Sequence, residues 1–167
     1  MMGLVEELIQ WLFPPRKVPE PDCRASFAKT SELDVPCPPG LKYDPFQKAG
    51  IEFCLRRSRI LIADDPGLGK TIEALGVANY IKAKGIVVIC PAVAKINWAR
   101  EARKWLVAPL PIHVLKKGYR IDPYQDGVYI VNYDILPYFL TLQIRQWDLV
   151  IVDEAHYCKT ETSRRTI

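Results

Sequence analysis

Ile60-Leu-Ile-Ala-Asp-Asp-Pro-Gly-Leu-Gly-Lys-Thr71 runs from apolar residues through two acids, a proline and two glycines to a lysine and a threonine. The order of residue types predicts a buried strand at 60–63, a phosphate-cradling loop and the start of a helix. Gly67 and Gly69 let the backbone turn tightly, so that N–H groups can point at phosphate oxygens. The helix that follows offers its positive N-terminal end to the same anion. Lys70 is placed to reach the β- and γ-phosphates, and the Thr71 hydroxyl to hold Mg²⁺. The plainer reading is a glycine turn between a core strand and a helix.

A second stretch, Leu149-Val-Ile-Val-Asp-Glu-Ala-His156, is another apolar run that ends in adjacent carboxylates. Ligands of α/β sheets sit outside the carboxyl ends of the strands. Asp153 at a strand tip suits water-mediated Mg²⁺ binding, and Glu154 suits a base that polarises an attacking water. Alone, such a pair is often a solvated helix start. With Lys70 it completes the parts of a Mg-ATP site.

Composition narrows the field. A chain of 167 residues is one domain by default, with ordinary apolar and charged fractions. A net charge of +4 permits a nucleic-acid partner without requiring one. Lys95, Arg100, Arg103, Lys104, Lys116, Lys117 and Arg120 follow one another with Glu101 as the one acid up to Arg120. That run reads either as a solvated helix face with a surface loop or as a phosphate track. The five cysteines are irregularly spaced and form no Cys-x-x-Cys pair, which argues against a zinc site or a disulfide framework. Cys54 and Cys90 sit in apolar runs as small core residues, and a reducing, intracellular compartment fits. No apolar stretch reaches membrane-spanning length, so no membrane partner is expected. Glu6, Glu7 and the lack of a basic leader argue against a signal peptide.

Periodicity divides the chain. Residues 4–13 predict a short amphipathic helix stopped by Pro14 and Pro15, and the stretch to Gly40 is proline-rich and aperiodic. Residues 1–40 therefore read as a helix with an extension, and 41–167 as a nucleotide-binding lobe. Within the lobe a helix begins at Asp44 as cap with Pro45 in the first turn. A second helix is expected over 70–84, ended by Gly85. Strands are expected over 86–90, 112–115, 128–131 and 147–152, a basic helix over 94–105 and a weaker helix over 135–144. Continuous apolar strands alternating with helices predict an α/β fold, a parallel sheet covered on both faces.

Several motifs agree with one family. Asp64-Asp-Pro-Gly-Leu-Gly-Lys-Thr71 resembles motif I of the Swi/Snf-related DNA-dependent ATPases of helicase superfamily two, and Asp153-Glu-Ala-His156 resembles their DEAH box. Tyr43-Asp-Pro-Phe-Gln-Lys48 is similar to the adenine-sensing Q motif, with Gln47 in the glutamine position. A Gln amide can both donate to and accept from an adenine edge. Val87-Val-Ile-Cys-Pro-Ala-Val-Ala-Lys-Ile-Asn-Trp98 resembles motif Ia, which lies along the DNA backbone in that family. Val131-Asn-Tyr-Asp134 is similar to the segment that follows it, and Gln47-Lys-Ala-Gly-Ile-Glu-Phe53 to the annealing-helicase-like branch. Asp65 and Pro66 stand where motif I usually has glutamate and methionine. Asp65 keeps the charge, while Pro66 stiffens the loop and removes one N–H.

The resemblance implies a three-layer RecA-like P-loop lobe with helices on both faces. It implies ATP over Gln47 and the loop Asp64, Asp65, Pro66, Gly67, Leu68, Gly69, Lys70 and Thr71, with Mg²⁺ at Thr71 and Asp153. Lys70, Asp153 and Glu154 would be catalytic, and Lys95, Arg100, Arg103 and Lys104 would contact the backbone of double-stranded or branched DNA. The sequence ends at Ile167, before the motif III strand and the second RecA-like lobe of that family, so the fold is expected to be C-terminally incomplete. The expected role is the ATP-binding lobe of a translocase with little turnover by itself; the alternative is a stand-alone regulatory module or a truncated remnant.

Overall fold

The computed structural model describes residues 28–65, 67–122 and 124–155. The expected helix at 4–13, Pro66 and His156 lie outside the described residues. The described residues fall into two compact units. A sheet unit takes in Lys84–Arg100 and the chain from Leu110 onward; a helical unit takes in the chain up to Ala83 together with Glu101–Pro109.

The sheet unit holds β1 (Gly85–Cys90), β2 (Ile112–Val114), β3 (Gly127–Asn132) and β4 (Leu149–Val152), in the order β2-β3-β1-β4. Every pairing is parallel. Gly85 faces Gly127 and Cys90 faces Asn132 across one side of β1, and Ile86 faces Leu149 across the other. β1 and β3 are buried along their whole length, whereas β2 and β4 are half-buried. That explains why β1 and β3 read as unbroken apolar runs. One face packs Val87, Ile89, Tyr129 and Val131 against Leu136, Phe139, Leu142 and Trp147. The entry into β4 is tied down by Asp148, whose carboxylate accepts the N–H groups of Lys84 (2.8 Å) and Gly85 (2.9 Å).

The helical unit holds α1 (Pro45–Leu55) and α2 (Lys70–Tyr80). A third helix, α3 (Lys95–Trp105), follows a 3₁₀ turn at Ala92–Ala94 and has its residues divided between the two units. Asp44 and Pro45 open α1 as expected, with the Asp44 N–H donating to Gln47 Oε1 at 3.0 Å. Gly76 lets α1 and α2 come together, since a Cβ there would lie 2.3 Å from Ile51 Cδ1. Asn79 on α2 is buried and fully used. Its amide donates to the Tyr43 hydroxyl (3.0 Å) and the Trp105 carbonyl (2.7 Å) and accepts from Val107 N–H (2.9 Å). The extension before α1 contributes buried Val35, and Ser31 donates to Glu52 at 2.5 Å.

Three expectations need correction. Residues 60–63 form no strand: none of the four strands pairs with them, and Leu61 is 75 % exposed. A strand exists only by its ladder, and an apolar sequence supplies no backbone partner. The family resemblance expects a motif III strand beside this segment, and no described residue provides one. The weak helix at 135–144 forms two 3₁₀ turns instead, Leu136–Tyr138 and Leu140–Gln143. The helical path breaks at Phe139 (φ −112°, ψ 59°), which separates the two turns. Finally, α2 ends at Tyr80 rather than running on to Gly85. Lys82 takes the left-handed conformation (φ 54°), Ala83 N–H bonds the Ala78 carbonyl at 2.9 Å and Lys82 N–H the Asn79 carbonyl at 3.2 Å. This is a Schellman termination with lysine where glycine is usual, and Gly85 instead begins β1.

The close α1–α2 approach gives a direct test. Gly76→Val should lower stability by about 1–3 kcal/mol through overpacking against Ile51, seen as a lower urea midpoint in the far-ultraviolet circular dichroism of the variant.

Candidate nucleotide-binding loop and acidic strand end

The loop before α2 is built by glycines in left-handed conformations, Gly67 (φ 90°) and Gly69 (φ 87°). Gly69 is also the N-cap of α2, and no side chain caps that helix end. A Cβ at Gly69 would lie 2.6 Å from Gln47 Nε2, so the position excludes a side chain on two counts. Lys70 folds back over the loop. Its ammonium donates to the carbonyls of Asp64 (2.8 Å) and Asp65 (3.2 Å). Gln47 is 5 % exposed and donates from Nε2 to the Leu68 carbonyl at 3.2 Å. The structure therefore brings Gln47, Gly67, Leu68, Gly69 and Lys70 together, with Thr71 half-buried in the first turn of α2. Both ends of the Gln47 amide are engaged, one by the loop and one by its own helix cap.

Sequence reasoning missed Glu73. It lies on α2 beneath this loop at 1 % exposure, and among the described residues neither carboxyl oxygen has a hydrogen-bond partner. Gly50 of α1 makes room for it: a Cβ there would touch the carboxylate at 3.0 Å. Burial pushes the Glu73 pKa up to about 7, and Asp64 adds to the rise through its charge and as the acceptor that a protonated Glu73 meets, although two ionised carboxylates there have no donor between them. The signal was present in the sequence, as an acid at the foot of an otherwise small and apolar helix face.

In the sheet unit, β4 carries the acidic pair at its carboxyl end. Asp153 N–H continues the ladder to the Ile89 carbonyl at 2.8 Å, and the Asp153 carbonyl accepts from the Tyr133 hydroxyl at 2.5 Å. The carboxylate accepts from the Trp98 indole N–H at 2.8 Å. Glu154 is exposed and left-handed (φ 54°), an uncommon conformation for a non-glycine residue and one often found at functional sites. Lys95, expected on a solvent face, turns inward. Its ammonium donates to the Leu115 carbonyl and to Asn132 Oδ1, both at 2.8 Å, and burial lowers its pKa. Arg100, Arg103 and Lys104 lie exposed along α3. Cys54 and Cys90 are both pushed up to about 12, chiefly by burial, and so are inert thiols near neutrality.

Mg²⁺ at phosphate-transfer sites takes one or two carboxylates plus substrate oxygens rather than a closed protein cage. The Thr71 hydroxyl in the helical unit and the Asp153 carboxylate in the sheet unit are each oxygen donors of that kind, taken separately. Among the described residues no group of three or more His, Cys, Asp or Glu could hold a metal without such help.

Comparison with known proteins now decides the family. The SNF2-related domain matches residues 46–166. The chain belongs to the SNF2-related family. A bovine relative, SWI/SNF-related matrix-associated actin-dependent regulator of chromatin subfamily A-like protein 1, is 36 % identical over 126 residues. That match covers 72 % of this chain and 13 % of the relative. The mouse DNA annealing helicase and endonuclease ZRANB3 is 33 % identical over 165 residues, covering 90 % of this chain and 15 % of the relative. The chain thus spans only a small part of these curated relatives. Among solved structures, the Sulfolobus solfataricus SWI2/SNF2 ATPase core in complex with dsDNA matches with a TM-score of 0.65 and 25 % identity. It covers 80 % of this chain and 31 % of that one. The SNF2-related chain is α/β with a parallel sheet, and its fold matches part of the Sulfolobus SWI2/SNF2 ATPase core.

Glu73 has a pH signature. Its folded pKa is raised, so below the unfolded value its protonated form leaves stability intact. That stability is lost as pH rises from about 4.5 through about 7. Urea midpoints of the parent should fall over that window by the equivalent of up to roughly 3 kcal/mol, and those of Glu73→Gln should fall by much less.

Proposed function

We propose that this chain supplies the first nucleotide-binding lobe, residues 41–167, of an ATP-driven motor that moves on double-stranded DNA. The observation that carries the reading is the loop itself. Two left-handed glycines run straight into an uncapped helix N-terminus, and a lysine ammonium is already drawn across the loop backbone. Exposed N–H groups and a positive helix end favour phosphate oxygens. Family membership and the double-stranded DNA bound to the Sulfolobus core support the rest.

In this reading Lys70 leaves the carbonyls of Asp64 and Asp65 for the β- and γ-phosphates. Gly67, Leu68 and Gly69, with Asp64, Asp65 and Pro66 before them, shape the phosphate cradle. Gln47 holds the loop through Leu68 and meets the adenine edge by exchanging one of its two present bonds. Mg²⁺, when bound, neutralises phosphate charge; Thr71 and Asp153 are the residues that would hold it, Asp153 through water. Glu154 orients the attacking water. Arg100, Arg103 and Lys104 contact the DNA backbone, while Lys95 buttresses β2 and β3 from inside. Residues 1–40 are assigned as the extension that precedes this lobe. The span matched is 31 % of the Sulfolobus core, and slow turnover is expected from these residues alone. The site of action is wherever the cell keeps its DNA, and the DNA includes branched forms.

Titration with a fluorescent ATP analogue and Mg²⁺ tests the nucleotide reading: saturable binding by the parent and its loss in Lys70→Ala are expected, and equal binding by both would refute it. For the DNA surface, replacing Arg100, Arg103 and Lys104 by glutamine should weaken duplex binding at every sequence tried. The slope of log affinity against log salt should become shallower by up to about 2–3.

A further inference from the structure

We propose that the indole N–H of Trp98 is a positioning group for the Asp153 carboxylate, tying helix α3 to the acid assigned above to Mg²⁺; the inference rests on that assignment. The main chain of Asp153 is already held from two sides, by the Ile89 carbonyl and by the Tyr133 hydroxyl. What remains free is rotation of its short side chain. Trp98 removes that freedom with a bond of 2.8 Å to Oδ2.

The donor is well chosen for this task. An indole N–H can only donate, so it cannot compete with Asp153 for a cation or a water proton. Its bond to a carboxylate is charge-assisted and stronger than a neutral pair. Trp98 itself is 3 % exposed, so its ring is fixed by packing rather than by the bond it makes. Partners that orient metal-binding carboxylates commonly change metal affinity 10–100-fold when removed. The same helix shows the opposite character on its outer side, where Ile96, Asn97 and Arg100 are exposed. A polyanion seated on that side bears on the helix that holds Asp153. Burial alone explains why a tryptophan is there; it does not explain why its one polar atom meets this carboxylate.

The test separates positioning from packing. Trp98→Phe removes the N–H and keeps an aromatic ring. Incorporating the tryptophan isostere in which sulfur replaces the indole N–H removes the donor while keeping the shape, so that folding is preserved. Binding of a fluorescent ATP analogue is measured for the parent and both variants, in EDTA and in Mg²⁺. The expected result is unchanged affinity in EDTA and a gain from Mg²⁺ that is smaller by about tenfold in both variants. A full Mg²⁺ gain in the isostere overturns the proposal, as does an equal loss of affinity with and without Mg²⁺. A second readout needs no variant: in the parent with nucleotide, Mn²⁺ should broaden the Trp98 indole N–H resonance, identified as the signal that Asp153→Asn displaces. An unbroadened signal also overturns it. If the parent shows no Lys70-dependent nucleotide binding at all, the proposed function itself fails and takes this inference with it.

Discussion

The sheet unit depends on β1 being hydrogen-bonded in parallel register on both sides. Its residues Ile86–Ile89 pair with β4 while the same residues pair with β3. Both ladders must hold at once, because a slip of one residue would turn every apolar side chain to the opposite face. With both fixed, the carboxyl ends of β3, β1 and β4 come level, and Asn132, Cys90 and Asp153 emerge from the same end of the sheet. Asp153 is placed by this constraint before its side chain makes any contact. Lys95, Trp98 and Tyr133 then act on an edge whose position is already settled.

The helical unit is organised on a different principle. Its described residues form no ladder, so buried polar groups and close helix contacts carry its specificity. Asn79 satisfies three groups from two segments, and Gly76 and Gly50 leave room between α1 and α2 for the Ile51 side chain and the Glu73 carboxylate. Glu73 is the exception, a buried acid with neither oxygen bonded among the described residues. It lies next to the Gly67–Gly69 loop, the candidate site, where local stability is often given up for function.

Much of this was legible in the sequence, for identifiable reasons. β1 and β3 were readable because strands buried on both faces leave unbroken apolar runs. α1 was readable because Asp44 and Pro45 are strong start signals, and the turn before α2 because closely spaced glycines mark left-handed backbone at Gly67 and Gly69. What could not be read depended on partners distant in the chain. Residues 60–63 have strand composition, and only a neighbour decides whether strand forms. The end of α2 was misplaced because Gly85 is the obvious stop, whereas Lys82 takes the left-handed position in the Schellman turn. Lys95 was read as outward-facing from the basic periodicity of its helix. Its partners, Leu115 and Asn132, lie on other elements and leave no mark on that pattern.

The Lys70 bonds to the carbonyls of Asp64 and Asp65 have a kinetic consequence. A glycine-containing loop with no internal brace would have to order itself around an incoming anion, a motion of nanoseconds to microseconds. Here the ammonium already draws the loop's own carbonyls together, so the backbone is shaped before any anion arrives. Under the proposed function, capture would need only the swing of one side chain from backbone oxygens to anionic ones, a rearrangement of picoseconds to nanoseconds. Under the same proposal, release would return the lysine to these carbonyls, so that the loop would serve as a reusable latch.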